Sequence, residues 1–152
     1  MRVYFVRHGE TAAGSTGNHQ RSDDRLSALG HEQAEFLAQR LSEVVIDAIF
    51  CSPYVRAVET ATHISTVVHQ HIVYSKELVE IKLPTEIEGK KRDDVDIKAI
   101  RKQIRDHFGD DEWHYSDEEN FFDLKSRAAR FIQELNSLEK ENVLVVTHGG
   151  FM

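Results

Sequence analysis

The sequence has little of what staples or stiffens small proteins: one cysteine, Cys51, and two prolines, Pro53 and Pro84, in 152 residues. A lone thiol makes no intrachain disulfide, so stability has to come from a buried apolar core. A chain of this length supports one, because a domain of about 150 residues buries roughly 68–70% of the surface its unfolded state exposes. The length fits one domain spanning residues 1–152. Long apolar runs are missing as well. The first, "VYFV", is far shorter than a signal segment or the roughly 20 residues of a membrane span, so no membrane partner is expected. The single thiol fits a reducing, cytoplasmic setting. Positive charge is in deficit, with 19 Lys and Arg against 26 Asp and Glu, a net charge of -7. That balance argues against a nucleic-acid partner, whose phosphates call for clustered cations. Any phosphate handled here is handled locally. The histidines show no regular ligand spacing with acids or cysteine, so no metal is expected. His19, His69, His71, His107 and His114 read as solvated or helix-surface residues.

What is present is an alternation of short apolar runs and amphipathic stretches. "RVYFV" is rich in β-branched and aromatic residues and reads as a buried strand stopped by Gly9. After a polar loop, Ser27 stands before "ALGHEQAEFLAQRLSEV", where Leu29, Ala34, Leu37, Ala38 and Leu41 recur at helical spacing, with Glu32 nearby to assist the cap. "DAIFCS" is a second strand. "PYVRAVETATHISTVVHQ" is a helix with Pro53 in its first turn, where a missing N–H costs nothing. "IVYS" is a third strand, and residues 76–96 form a loop long enough to serve as a lid or rim. "VDIKAIRKQIRDHF" is a helix with Ile97, Ile100 and Ile104 on one stripe. "GDDEWHYSDEEN" is an acidic connector read as a solvated face. "FFDLKSRAARFIQELNSLEKE" is a long amphipathic helix, and "NVLVVTHGG" is a strand entering a turn. Strands alternating with helices predict an α/β fold, a three-layer α/β/α sandwich around a mainly parallel sheet. Ligands of such sheets bind beyond the carboxyl ends of the strands.

Three of the predicted strands end in polar groups of one kind. Arg7 and His8 follow the first, Ser52 and Arg56 the second, and Thr147 and His148 the last. Parallel strands bring these to one edge as a cationic cup. A guanidinium presents a fork of donors that matches phosphate oxygens, which makes Arg7 and Arg56 the natural clamp. Gly9 and Gly149 would let the backbone approach an anion, and the N–H groups of helices beginning after "SP" and after "HGG" would add donors. In that setting a neutral imidazole attacks phosphorus in line, provided an acceptor on its other ring nitrogen fixes the tautomer.

"VRHGET", "SPYVRAVETA", Glu80 within "LVEIKLPTEIEG" and "VVTHGG" occur in an order that resembles the histidine phosphatase superfamily, also called phosphoglycerate mutase-like. The resemblance covers essentially the whole chain. It implies that His8 is the residue phosphorylated, that Arg7 and Arg56 clamp the phosphate, and that His148 binds and stabilises the transferring group. Gly149 and Thr11 complete the phosphate-binding set, while Thr60 fits the "RAxxTA" pattern or packs its helix on the sheet. Glu80 matches the acid that protonates the leaving oxygen and then activates water. The activity implied is a phosphomonoesterase acting on a small phosphorylated metabolite and releasing inorganic phosphate, with no cofactor and no metal. The alternatives are a phosphatase acting on protein phosphohistidine and a non-catalytic module that only binds phosphate ligands. A serine hydrolase on Ser52 is disfavoured by the absence of a Gly-x-Ser-x-Gly elbow.

The chain departs from the family pattern in three places. Gly14 stands where many relatives carry asparagine, and Asn18 comes four residues later. "EIEGKKRDDV" is too short for the pocket insertion of the mutases, so mutase activity is not expected. The sequence stops at "HGGFM", where relatives continue into a helix and usually another strand. If the polypeptide ends at Met152, the expectation is a partly exposed apolar sheet face, lowered stability, poor activity and self-association, including as a homodimer.

Overall fold

The computed structural model describes residues 1–152. Its sheet contains β1 (Arg2–Arg7), β2 (Ala48–Cys51), β3 (Ile72–Tyr74) and β4 (Asn142–Thr147), all parallel, in the spatial order β1, β4, β2, β3. The helices are α1 (Ala12–Ser15), α2 (Ala28–Leu41), α3 (Val55–Val68), α4 (Val95–Asp106) and α5 (Phe121–Asn136), with single 3-10 turns at Lys76–Leu78 and Thr85–Ile87.

The period of β4 divides the core. Leu144 and Val146 point to one face, where Ala38 and Leu41 of α2 and Ala57, Ala61 and Ile64 of α3 cover them. Val143 and Val145 point to the other, against Phe131 and Leu135 of α5 and Leu78. Each such buried aliphatic or aromatic side chain contributes about 1.5–3 kcal/mol of transfer free energy. The two clusters on opposite faces make the three-layer α/β/α sandwich. Cys51 sits in the first of them, and burial pushes its thiol up to about 12, which leaves it a small apolar filler. No helix is long and apolar enough to cross a membrane.

Register then places the chemistry. Arg7 lies opposite Thr147 and Cys51 opposite Val146, so His8, Ser52 and His148 leave the sheet together. The ladder continues one step past the strands, with His8 N–H donating to Thr147 O (3.1 Å) and Ser52 N–H to Val146 O (3.0 Å).

Several local expectations are corrected. Ser27 does cap α2, accepting from Gly30 N–H (3.0 Å), but its hydroxyl donates to Glu10 Oε1 (2.7 Å) and Glu32 has no part in the cap. Pro53 precedes the N-cap Tyr54 rather than sitting inside the first turn of α3. On α4 only Ile97 is buried, while Ile100 and Ile104 are half-buried, because this helix lies outside the two core clusters. The acidic connector is not simply a solvated face: Glu118 is buried and accepts from Ser116 N–H (2.8 Å). Beside the edge strand β1 the apolar surface is open. Phe5 is 50% exposed and, with Phe131, Ile132, Phe151 and Met152, lines an apolar cavity of about 300 Å³.

Candidate active site

The residues that end β1, β2 and β4 converge. The His8 and His148 rings lie 5.0 Å apart, centre to centre, although 140 positions separate them in the chain (148 − 8). His8 Nδ1 faces Gly9 O at 2.7 Å, a group that only accepts, and His8 Nε2 faces Arg56 Nε at 3.1 Å, a group that only donates. Both contacts demand the same tautomer: the proton is on Nδ1 and the lone pair on Nε2. The acceptor that the sequence required for an attacking imidazole is thus the carbonyl of the next residue. Burial lowers His8 to about 4, with Arg56 and Arg7 adding to the effect against the Gly9 bond, so the ring is neutral at pH 7.

Arg56 is 1% exposed at the first turn of α3. Its Nη1 donates to Arg21 O (2.6 Å), and the same guanidinium lies 5.2 Å from the Tyr54 ring centre. Thr60, one helical turn on, donates to Arg56 O (2.8 Å) and accepts from Gly9 N–H (3.1 Å). It therefore ties the histidine loop to the helix that carries the clamp. His148 Nε2 bonds Ser52 Oγ (2.7 Å), and its buried Nδ1 has no partner. Its ring lies between those of His8 and Tyr54, and burial first, then Arg56, pushes its pKa below that of His8.

Arg7 projects from the strand end into an all-polar cavity of about 380 Å³ that it shares with His8, Glu10, Thr11 and Gln20. A side chain at Gly149 would come within 3.3 Å of Arg7 Nε, so the glycine leaves that guanidinium its space. Gly9 serves a different purpose from the one expected. A Cβ there would meet Gly30 O at 2.4 Å, and one at Gly30 would meet Glu10 O at 2.0 Å. The two glycines let the histidine loop and α2 touch backbone to backbone. Thr11 is fully buried, and its hydroxyl accepts from Gly14 N–H (2.9 Å) and Gln20 Nε2, which leaves one proton to donate.

The expected helix-start donors are otherwise engaged. Tyr54 N–H donates to Ser52 Oγ (3.3 Å) and Val55 N–H to Ser22 O (3.2 Å). After His148 the backbone makes a turn, not a helix, and Gly150 N–H donates to Glu80 Oε1 (2.9 Å). Ile81 N–H binds the same oxygen (3.0 Å), which orients the other oxygen of Glu80 without consuming it. A Cβ at Gly150 would lie 2.5 Å from Glu80 Oε1 and 2.7 Å from Ile81 Cγ2, so a side chain there would push Glu80 out of this position. Glu80 and Arg56 line a second cavity of about 250 Å³, which shares Gln20 and Arg92 with the first.

Sequence reasoning missed several groups that build this arrangement. His19, read as a surface residue, is 5% exposed and lines the second cavity. Tyr54 closes over His148; its place directly before the helix of the motif arginine was the available signal. Arg127 of α5 is 7% exposed and spends every donor arm: both Glu119 oxygens (2.7 and 2.6 Å), Glu77 O (2.6 Å) and Val79 O (2.8 Å). It clamps the segment that ends in Glu80. Thr147 Oγ1 donates to Leu78 O (2.7 Å) and holds that segment from below.

Comparison with known proteins places the chain in a family. Residues 3–152 match the Histidine phosphatase superfamily (branch 1). The chain is 27% identical to the adenosylcobalamin/alpha-ribazole phosphatase of Escherichia coli, over 100% of this chain and 75% of that one. It is 28% identical, over 98% of itself and 70% of the relative, to an Erwinia tasmaniensis protein named for phosphoglycerate mutase. Among solved structures, Bacillus stearothermophilus YhfR superposes with a TM-score of 0.84 at 33% identity, covering 98% of this chain and 74% of that one. A parallel sheet that sets an Nε2 lone pair beside a buried arginine and a second imidazole, together with these matches, makes the chain a member of the histidine phosphatase superfamily, branch 1, a family of phosphomonoester hydrolysis through phosphohistidine.

Proposed function

We propose that this chain is a metal-independent phosphatase in which His8 is the nucleophile. The observation that carries the assignment is the His8 tautomer, fixed from both sides by Gly9 O and Arg56 Nε. Arg56 now caps the lone pair that must attack. A phosphate oxygen, being anionic, is the stronger acceptor for that N–H, so substrate binding draws the guanidinium away and frees Nε2. Nε2 then attacks phosphorus, the P–O bond to the leaving group breaks, and Glu80 gives its proton to the departing oxygen. Water next gives a proton to Glu80 and attacks phosphorus, the P–N bond breaks, and orthophosphate leaves with His8 restored. Throughout, Nδ1–H stays on Gly9 O. Arg7, Arg56 and His148 supply donors to the oxygens on which negative charge grows, the role that a magnesium ion fills in many other phosphoryl transfers. The short segment after Glu80 supports hydrolysis over mutase chemistry, and the small cavity beside Glu80 supports a small phosphorylated metabolite as substrate.

Rapid quenching with phosphorus-labelled substrate should trap an acid-labile, alkali-stable adduct on His8, and chelator should leave the rate unchanged. Normal turnover by a His8→Ala protein would overturn the assignment. Tight vanadate binding without any hydrolysis would identify a binding module instead.

A further inference from the structure

Apart from the phosphate cup and its cavities, the groove between α2 and α3 holds titratable side chains that no step of hydrolysis uses. Its volume is about 590 Å³, and His31, Glu35, Glu59 and His63 line it with no lysine or arginine. Small buried residues bring the two helices together there, Ala34 and Ala38 on α2 and Ala57 and Ala61 on α3. His31 stands one turn before Ala34 and His63 two residues after Ala61, and the packing sets His31 Nδ1 3.1 Å from His63 Nε2. His31 is exposed and His63 half-buried, so solvent ions reach the pair. Glu59 is engaged by Arg25 Nη1 (2.7 Å) and Leu26 N–H (2.8 Å). Glu35, one turn beyond His31, makes no ion pair.

The separation of the two nitrogens matches a shared metal ion. Nitrogens bound to one zinc at 2.0–2.1 Å stand about 2.9 Å apart at a right angle and about 3.3 Å apart at the tetrahedral angle, and 3.1 Å falls between. Each ring has only to turn about its side-chain bonds to aim a lone pair at the common point. The proton now held between the rings passes, through solvent, to the other nitrogen of the ring that carries it, and both imidazoles stay neutral. No third histidine, cysteine or acid completes a cluster, so water takes the remaining positions while Glu35 adds the charge that draws a cation in. Imidazole donors select zinc, copper or nickel over magnesium and calcium, which prefer oxygen.

We infer that His31 and His63 form a site for a divalent transition-metal ion, zinc being the type, that straps α2 to α3. The site takes no part in hydrolysis and stands whether or not the phosphatase reading holds. Its ligands lie 32 positions apart on different helices, which is why spacing along the sequence does not display them. Gly30, next to His31, touches the histidine loop and α3 carries Arg56, so the strap joins two elements that frame the cup.

Calorimetric titration with zinc chloride tests it. The full chain should bind one ion at this site, and magnesium at the same concentration should not compete. Because other imidazoles, His8 and His148 above all, can also take zinc, the variants decide. His31→Gln and His63→Gln should each weaken the site at least 10-fold, since loss of even an outer-shell partner costs a metal site 10- to 100-fold, whereas His8→Ala should retain it. Zinc at 100 times its Kd should raise the melting temperature of the parent by about 5–10 °C, and of either glutamine variant by about half as much or less. Should His63→Gln fail to fold, His31→Gln, on an exposed position, carries the test alone. Absence of zinc binding in the parent, a site that survives unweakened in either folded variant, or a site lost in His8→Ala overturns the inference.

Discussion

Two walls of the same site are built on opposite plans. The phosphate cup comes from strand ends far apart in the chain, His8, Ser52 with Arg56, and His148, and most of its polar atoms already have a partner. The wall around Glu80 comes from loops, residues 17–21 and 80–92, where Lys82 pairs with Asp117 (2.9 Å) while Arg92 makes no ion pair. Chemistry common to every substrate needs fixed groups, which a parallel sheet supplies through register. Selection of one alcohol over another needs groups left free, which a sheet edge cannot supply without exposing its own backbone.

The comparison can be broken first at the cup. Arg56→Lys keeps the charge but loses the fork and the bond to His8, so kcat/KM should fall by roughly 10²- to 10³-fold for every phosphate ester alike. A loss that depends on the alcohol would show that Arg56 belongs to the other wall. The second break falls on the clamp beneath Glu80. Arg127→Met takes the guanidinium from the half-buried Glu119 carboxylate and from two carbonyls, which should cost about 3 kcal/mol in urea unfolding and lower kcat with it. The contact of histidine loop and α2 is next. Gly30→Ala forces a methyl into Glu10 O and should cost about 3 kcal/mol by the same measurement, whereas an alanine tolerated without loss would mean that the loop can retreat.

The smallest effect is on pH dependence. Folding lowers His8 and His19 from 6.5 to about 4, so between those values the unfolded chain binds protons that the folded chain refuses. Stability should be complete above pH 6.5 and decline as pH falls toward 4. A series of melting temperatures checks this, and His19→Gln should flatten the slope.

The sheet, the layers and the cup were legible because each rests on a pattern that sequence displays: apolar runs, helical periodicity and polar residues placed just after strands. His8, Arg56 and His148 fell where register put them. Gly9 was read as a gap for an anion, but its neighbour is Gly30, twenty-one positions away (30 − 9), and no local pattern announces a contact between a loop backbone and the first turn of a helix. His19 looked like a surface residue because burial there depends on residues 89–92, which carry no periodicity of their own. Arg127 passed unremarked within the long amphipathic helix. Its value lies in the carbonyls above it, which only the folded chain presents.

Strand β4, the last in sequence, lies between β1 and β2, and β1 pairs with no other strand. During synthesis on the ribosome, the first strand therefore waits for residues 142–147 to emerge before it has a neighbour. Completion of the sheet is late by topology, and the nascent chain, with "RVYFV" unpaired, is the stage at which chaperones have most to protect.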